Sequence, residues 1–361
     1  MSDYSPLVRN VLRKSLRIRP KESVIVECWN HGLDAAREFV YQLRAAGARP
    51  MLLFEDEATH WRSVETLPAS KLGQVSKSEW AALEDADAYI FLPGPADIAR
   101  YRKNLGRMAA ATGYNSEWYR RAEKAGLRGA RILLGYASPE RAASYGFDHD
   151  AWIASLLAAG SGDFTGIARA GRRIAAILSE ASEVEVLAPN GTDFTFRLRG
   201  RPARSDDGIV DADDLKAGEF ITNVPPGYVW VTPDETSGEG TVVFDRPAYT
   251  LGLTIPDVRF DFRDGRATWS AGANSEALRA QYERATGSRN RLAFLQIGLN
   301  PAARYGFLND DLVAGAVEID IGSNSEYGGR NRTDFSLGAR LSQATVRVGK
   351  KILVDGGRLV A

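Results

Sequence analysis

Short apolar runs alternate with helix-like patterns through the first half of the chain. The apolar runs predict strands at Val24–Val26, Met51–Phe54, Ala88–Leu92 and Ala130–Leu134. Apolar residues at helical spacing predict helices over Leu33–Ala46 and, further along, over about 149–160 and 164–181. Strands that alternate with helices indicate a doubly wound parallel sheet with helices on both faces.

The hydrophobic period changes near Glu183. From there, apolar residues alternate with polar ones on both sides of Pro189-Asn190-Gly191, which predicts a β-hairpin. Short strands, glycine-rich turns and one helix at about 274–285 fill the remainder. The pattern therefore predicts an α/β N-terminal domain over residues 1–182 and a strand-rich α+β C-terminal domain over residues 183–361.

The composition is that of an ordinary soluble globular protein, with 44% hydrophobic and 25% charged residues among 361. The 46 basic and 46 acidic residues leave no net charge, which argues against nucleic acid or an anionic membrane as a partner. No apolar stretch approaches the ~20 residues of a membrane span. The single cysteine, Cys28, excludes an internal disulfide, and we expect a cytoplasmic protein.

Short motifs in the second half of the chain carry a family resemblance. They are Asn223-Val224-Pro225-Pro226-Gly227-Tyr228-Val229, Pro233-Asp234 and Gly240-Thr241. They resemble the Asn-Leu-Pro-x-Gly-Glu-Val, Ala-Pro-Asp and Gly-Thr signature of the aminopeptidase T and S metallopeptidases. The motifs follow in the family's order over residues 188–360, whereas over 1–180 the resemblance is architectural. It implies a homodimer that forms through the C-terminal domain.

The resemblance also locates the five positions at which the family holds its two-metal centre. Where the family has Glu, Glu, His, His and Asp, this chain has Tyr228, Phe294, Glu318, Ser336 and Gly338. The chain's three histidines lie far from this segment, at His31, His60 and His149. Because catalytic transition metals need several convergent oxygen or nitrogen donors, we expect no bound metal and no cofactor.

Glu318 and Asp320 are two positions apart on a predicted strand, so both side chains should point to the same face. Such a pair could attract a hard cation weakly, but two carboxylates without a third donor are poor ligands for a transition metal. The pair could also be no more than a polar edge of the strand.

Tyr228 and Phe294 replace carboxylates that would lie in a cleft. The two rings either fill that cleft or line an aromatic groove for a ligand. On the following loop, Asn331 and Arg332 offer donors for a carboxylate or for backbone carbonyls, unless they are ordinary solvated loop residues. The candidate ligand-binding residues are Tyr228, Phe294, Glu318, Asn331, Arg332 and Ser336.

These residues predict a metal-free pseudo-aminopeptidase that binds a peptide or peptide-like ligand. One setting is the biosynthesis of ribosomal-peptide natural products, in which a precursor peptide is held for a partner enzyme. The alternative is an enzyme with metal-free acid/base chemistry, in which Glu318 is the catalytic group and Asp320, Ser336 or Tyr228 its partner. An active metallo-aminopeptidase is disfavoured, because the donors of the metal site are absent.

Overall fold

The computed structural model describes residues 2–360, which fold into two compact units. The first unit runs to Phe164 and includes Gly208–Pro226, and the second comprises Thr165–Asp207 and the chain from Gly227 onward. Each unit is therefore built from two separate stretches of sequence. Within residues 2–360, no helix is long and apolar enough to cross a membrane.

Helices and strands alternate in the first half of the chain, and strands dominate the second half. The α-helices are α1 Ser5–Asn10, α2 Leu33–Ala45, α3 Glu57–Thr66, α4 Lys77–Asp85, α5 Ile98–Lys103, α6 Leu105–Ala111, α7 Asn115–Ala125, α8 Pro139–Tyr145, α9 His149–Gly160, α10 Phe164–Ser179, α11 Ala212–Ala217 and α12 Glu276–Arg284. The strands are β1 Ser23–Trp29, β2 Arg49–Glu55, β3 Ala88–Leu92, β4 Arg128–Ile132, β5 Glu183–Ala188, β6 Thr192–Arg197, β7 Arg204–Asp206, β8 Ile221–Val224, β9 Tyr228–Val231, β10 Glu239–Val243, β11 Ala248–Thr250, β12 Leu253–Ile255, β13 Arg259–Arg263, β14 Arg266–Ser270, β15 Leu292–Gly298, β16 Val317–Gly322, β17 Ser336–Leu341, β18 Thr345–Val348, β19 Lys351–Asp355 and β20 Arg358–Leu359.

The first unit is built on a five-stranded parallel sheet in the order β2-β1-β3-β4-β8. One of its faces packs against α4 and α7, and Ile25 and Tyr89 of the sheet share a hydrophobic cluster there with Leu83 and Ala122 of those helices. This arrangement follows from the alternation of apolar strands and helices, because parallel strands need helical crossovers. The predicted α/β class is confirmed.

Strand β8 enters this parallel sheet from a distant part of the sequence. Its Ile221 pairs with Gly129 of β4, although residues 183–361 were predicted to form the second domain. Conversely, α10 lies before the predicted division at residue 182, yet most of it belongs to the second unit. The pairing partner of a short strand such as β8 is chosen by tertiary contacts and not by its place in the sequence.

The second unit is strand-rich, as predicted, and its strands pair antiparallel. An eight-stranded sheet runs β14-β13-β10-β6-β5-β18-β19-β20, a five-stranded sheet runs β17-β16-β15-β9-β7, and β11 pairs with β12. The predicted hairpin is formed by β5 and β6, in which Val186 is paired with Phe194. Apolar side chains from both large sheets and from α10 share one hydrophobic core.

Candidate functional site

The five-stranded sheet of the second unit has two faces of opposite character. On β16, Val317, Ile319 and Ile321 belong to the hydrophobic core, whereas Glu318 and Asp320 alternate with them and point to the other side. We call this other side the site face. It carries Tyr228 and Trp230 on β9, Phe294 and Gln296 on β15, Glu318 and Asp320 on β16, and Ser336, Gly338 and Arg340 on β17.

The register of the sheet brings together residues that are distant in sequence. Glu318 lies opposite Gln296 on one side and opposite Arg340 on the other. Asp320, in turn, lies opposite Gly338. Directly opposed residues of antiparallel strands have side chains within contact distance. The two carboxyl groups therefore meet a fixed set of neighbours.

The polar part of the site face is a buried cluster. Glu318 and Asp320 are each only 7% exposed. Nε of Arg340 lies 3.1 Å from Oε2 of Glu318, an ion pair without hydrogen-bond geometry. Nε2 of Gln296 donates to Oδ2 of Asp311 at 3.0 Å. The cluster thus contains three carboxyl groups and a single guanidinium.

Gly338 provides the space in which the Asp320 carboxyl group sits. A Cβ atom at position 338 would lie 1.8 Å from Oδ1 of Asp320. That oxygen is buried and has no hydrogen-bond partner. A buried carboxylate oxygen without a donor is costly, so this atom is a buried acceptor that the protein leaves without a partner.

Burial governs the protonation of the cluster. It raises the pKa of Glu318 well above its usual value; Arg340 opposes this rise and the charge of Asp320 adds to it. Burial likewise raises the pKa of Asp320 from 3.8 to about 6, again against the effect of Arg340. For Arg340, burial lowers the pKa, but Glu318, Asp311 and Asp320 outweigh it and raise the pKa above its usual value. Burial thus favours the protonated form of both carboxyl groups, and Arg340 opposes this effect at each of them.

An aromatic cluster lies beside these carboxyl groups. The rings of Tyr228 and Trp230 are 5.7 Å apart between centroids, Trp230 and Tyr327 are 6.2 Å apart, and Tyr327 and Phe294 are 5.5 Å apart. Phe294 is paired with Asp320 across the strands, so the cluster and the carboxyl groups adjoin. Tyr327 is 49% exposed. The rings form a partly open apolar surface on the same side of the sheet.

The remaining predicted residues lie in different surroundings. Asn331 is buried in the loop before β17, where Nδ2 donates to the carbonyl of Leu292 at 2.9 Å and its backbone N–H donates to Asn324 at 2.8 Å. These bonds hold the loop, so Asn331 stabilises the fold around the site. Arg332 and Ser336 are exposed.

A further buried carboxylate, Glu235, anchors the same loop. Both carboxylate oxygens accept from the Arg201 guanidinium, at 2.7 and 2.8 Å, and the backbone N–H of Arg330 donates to it at 2.7 Å. Burial by itself raises the pKa of Glu235, but Arg201 and the N–H of Arg330 outweigh it, and the pKa lies below its usual value. This carboxylate is fully satisfied by the protein.

Four of the five positions suggested for a two-metal centre carry neither a carboxylate nor an imidazole. Tyr228 and Phe294 are aromatic, Ser336 is exposed, and a glycine stands at 338. Only Glu318 offers a carboxylate, and Arg340 is paired with it. In the part of the chain that the structure describes, no three His, Cys, Asp or Glu side chains are grouped to hold a metal ion. The donor set does not fit two metal ions.

The residues of the site that were not identified from the sequence include Trp230, Gln296, Arg340 and Asp311. Trp230 and Arg340 each lie two positions from a predicted site residue, Tyr228 and Gly338, so strand alternation alone would have found both. Asp311 follows β15 in a short 3₁₀ helix, Asp310–Leu312, and no local pattern marks it as a site residue.

Comparisons with known proteins agree with this architecture. Residues 163–292 match the sequence profile of the thermophilic metalloproteases, family M29. Wild-type AmpT from Thermus thermophilus has a similar structure, with a TM-score of 0.73, 18% identity and coverage of 99% of both chains. The 2,5-dihydroxypyridine dioxygenase from Pseudomonas putida KT2440 aligns with a TM-score of 0.64 and 18% identity, over 99% of this chain and 97% of the other. No curated protein sequence matches the chain. Over residues 163–292 the chain is thus similar to the M29 metalloproteases, and over almost its whole length it shares the fold of AmpT.

Proposed function

We propose that this protein binds a peptide or peptide-like ligand on the site face and does not hydrolyse it by a metal-dependent mechanism. The observation that carries the proposal is the adjacency of the ring cluster of Tyr228, Trp230, Phe294 and Tyr327 to the buried carboxyl pair. Partly exposed aromatic surface next to a few fixed polar groups is typical of ligand sites.

The charges favour the amino end of a peptide. Even where Glu318 is protonated, the carboxylates of Asp320 and Asp311 exceed the single positive charge of Arg340, so the polar end of the site would attract a cation. An α-amino group would supply the hydrogen-bond donor that Oδ1 of Asp320 lacks. The aromatic rings would then receive the apolar side chains of the first residues.

The donor set argues for binding without metallopeptidase activity. Two-metal hydrolysis requires ions that activate water and polarise the carbonyl group. Aromatic rings at 228 and 294 occupy the positions where the resemblance places carboxylate ligands. We therefore propose a pseudo-aminopeptidase, which would present a peptide to a partner enzyme in a biosynthetic pathway, with a homodimer as its assembly.

Peptide titration of the full-length protein tests the proposal. A short peptide amide with a free amino terminus and two apolar residues should bind, as measured by calorimetry, and its N-acetylated form should bind about tenfold less tightly. Tyr228→Ala and Phe294→Ala should each weaken binding about tenfold, since aromatic anchors commonly contribute ~1–4 kcal/mol. Tyr41→Ala, which removes a 69% exposed ring in the other unit, should change nothing.

Two results would overturn the proposal. One is equal binding of the free and acetylated peptides to wild type and to both aromatic variants, with thermal melts that show these variants folded. The other is stoichiometric metal bound to the purified protein together with release of the amino-terminal residue.

A second candidate function is metal-free acid/base catalysis, and the raised pKa values of Glu318 and Asp320 favour it. Glu318 would hold a proton as general acid, and Asp320 would act as base above about pH 6. Mass spectrometry of peptides after incubation separates the two candidates. Turnover that Glu318→Gln abolishes without loss of binding supports catalysis, and unmodified recovery of the peptide supports binding alone.

A further inference from the structure

A second candidate site lies in the first unit and shares no residue with the site face. A cavity of about 190 Å³ lies above the carboxyl-terminal halves of β1 to β4. Glu27 is paired with Leu53 and with Phe91, and Phe91 is paired with Arg131, so these side chains share one face of the parallel sheet. Ligands of open α/β sheets commonly bind at the carboxyl ends of the strands.

The walls of this cavity are aromatic. They include Tyr89, Phe91, Tyr114, Trp118, Tyr119 and Tyr136. Trp118 stands edge to face with Tyr89 at 5.1 Å and with Tyr119 at 5.3 Å, with interplanar angles of 86° and 79°. Rings set at right angles present π-faces in more than one direction, and such faces attract cations.

Three carboxyl groups line the same cavity: Glu27 on β1, Glu55 at the end of β2 and Glu79 in the first turn of α4. The hydroxyl of Tyr89 donates to Glu27. Burial raises the pKa of Glu27 to about 7, although the bond from Tyr89 opposes the rise. Burial also raises the pKa of Glu55, and the charge of Glu79 adds to that rise. The carboxyl groups therefore repel one another in a poorly solvated space.

The basic side chain in this lining, Arg131, is already engaged. Its Nη2 lies 3.2 Å from the Tyr119 hydroxyl, and its guanidinium carbon lies 5.3 Å from the centroid of the Phe91 ring. One guanidinium at the rim leaves an excess of negative charge facing the aromatic walls. A cation inside the cavity would offset it and contact the ring faces.

We propose that this cavity is a binding site for a small organic cation, of which a quaternary ammonium group is the best fit. The volume of about 190 Å³ is large enough for such a group, because a cavity of roughly 150 Å³ already holds a molecule of the size of benzene. The rings favour a cation with apolar surface over a bare metal ion, which prefers a shell of oxygen ligands. Carboxylates at the wall add the charge complementarity that a purely apolar pocket lacks. This site is independent of the peptide site proposed above.

Choline and its uncharged carbon isostere, dimethylbutanol, test the proposal on the full-length protein. Calorimetry should show choline binding at least about tenfold more tightly than the isostere, which corresponds to ~1.4 kcal/mol. Trp118 lines the cavity, so tryptophan fluorescence should change on addition of choline.

Glu55→Gln keeps the size of the side chain and removes its charge, and it should weaken choline binding about tenfold while the isostere is unaffected. Asp85→Asn is the matched control, because Asp85 is an exposed carboxylate at the end of α4, outside the cavity. It should leave both affinities unchanged. Equal binding of choline and isostere, no binding of either, or equal losses in both variants would each overturn the proposal. Melting curves of both variants confirm that the fold is intact.

Discussion

Two buried carboxylate sites in the second unit differ in how well the protein satisfies them. Glu235 accepts hydrogen bonds from both nitrogens of the Arg201 fork and from the backbone, and its pKa is lowered. Asp320 has one oxygen without a partner, and its pKa is raised. Both side chains are less than a tenth exposed. Burial alone therefore does not separate them, whereas the supply of donors does.

The difference indicates two different tasks. A carboxylate enclosed by donors lowers the free energy of the folded state and fixes the loop around it. A carboxylate left with an open oxygen costs folding free energy, and such groups cluster where a ligand or a proton is to be bound. Three substitutions test this contrast, from the largest expected effect to the smallest.

Glu235→Ala should reduce the free energy of unfolding by about 3–5 kcal/mol, because it leaves the Arg201 guanidinium buried without its partner. Urea unfolding measures the change. Glu185→Ala is the control, since Glu185 forms one exposed ion pair with Arg347 at 3.2 Å and should cost less than about 1 kcal/mol. Equal losses in the two variants would show that the Glu235 network adds no more stability than a surface pair.

Gly338→Ala should cost about 1–3 kcal/mol, because the added methyl group collides with the Asp320 carboxyl group. The backbone at 338 is not left-handed, so the loss arises from the contact and not from backbone strain. The double variant Gly338→Ala with Asp320→Ala removes the obstacle. In urea unfolding, the double variant should lose less stability than the sum of the losses of Gly338→Ala and Asp320→Ala. A loss equal to that sum would contradict the assigned contact.

Asp320→Asn should stabilise the protein by about 1 kcal/mol at pH 8, because it removes a buried charge of which one oxygen lacks a donor. A carboxyl group whose pKa is raised by folding binds its proton more tightly in the folded state. The wild type therefore loses stability as the pH rises from 3.8 towards about 6 and beyond. The advantage of the variant should be small near pH 4 and reach its maximum above about pH 7.

Urea unfolding at pH 4, 6 and 8 measures this trend. Asp261→Asn is the control, because Asp261 is half exposed, pairs with Arg259, and has a lowered pKa. It should not stabilise the protein at any of these pH values. Destabilisation by Asp320→Asn at pH 8 would mean that the carboxylate is satisfied by the protein after all, and the contrast with Glu235 would fail.

Much of the secondary structure followed from local patterns. Strand β3 occupies the predicted Ala88–Leu92, and α9 spans the predicted 149–160. These segments were predictable because helical and strand periods are set by backbone geometry within a few residues. Strand β8 shows where prediction from local patterns ends. Its four residues have no clear alternation of apolar and polar positions, and they join the parallel sheet by pairing with β4, which is distant in the sequence.

The candidate site likewise has a part that local patterns predict and a part that they do not. Local alternation is enough to place Glu318 and Asp320 on one side of β16 and the apolar Ile319 on the other. The sequence pattern and the family resemblance together also selected Tyr228 and Phe294, which lie on that same face. Their assignment as ligand-binding residues stays a prediction.

What the sequence by itself determined is the set of side chains on each face of each strand, because the alternation of a strand is a property of its own backbone. Only the tertiary structure decided that Arg340 lies against Glu318, that Gly338 makes room for Asp320, and that Asp311 arrives from a loop. Those neighbours depend on the register between strands and on loop paths, and both are fixed by the packing of the whole unit.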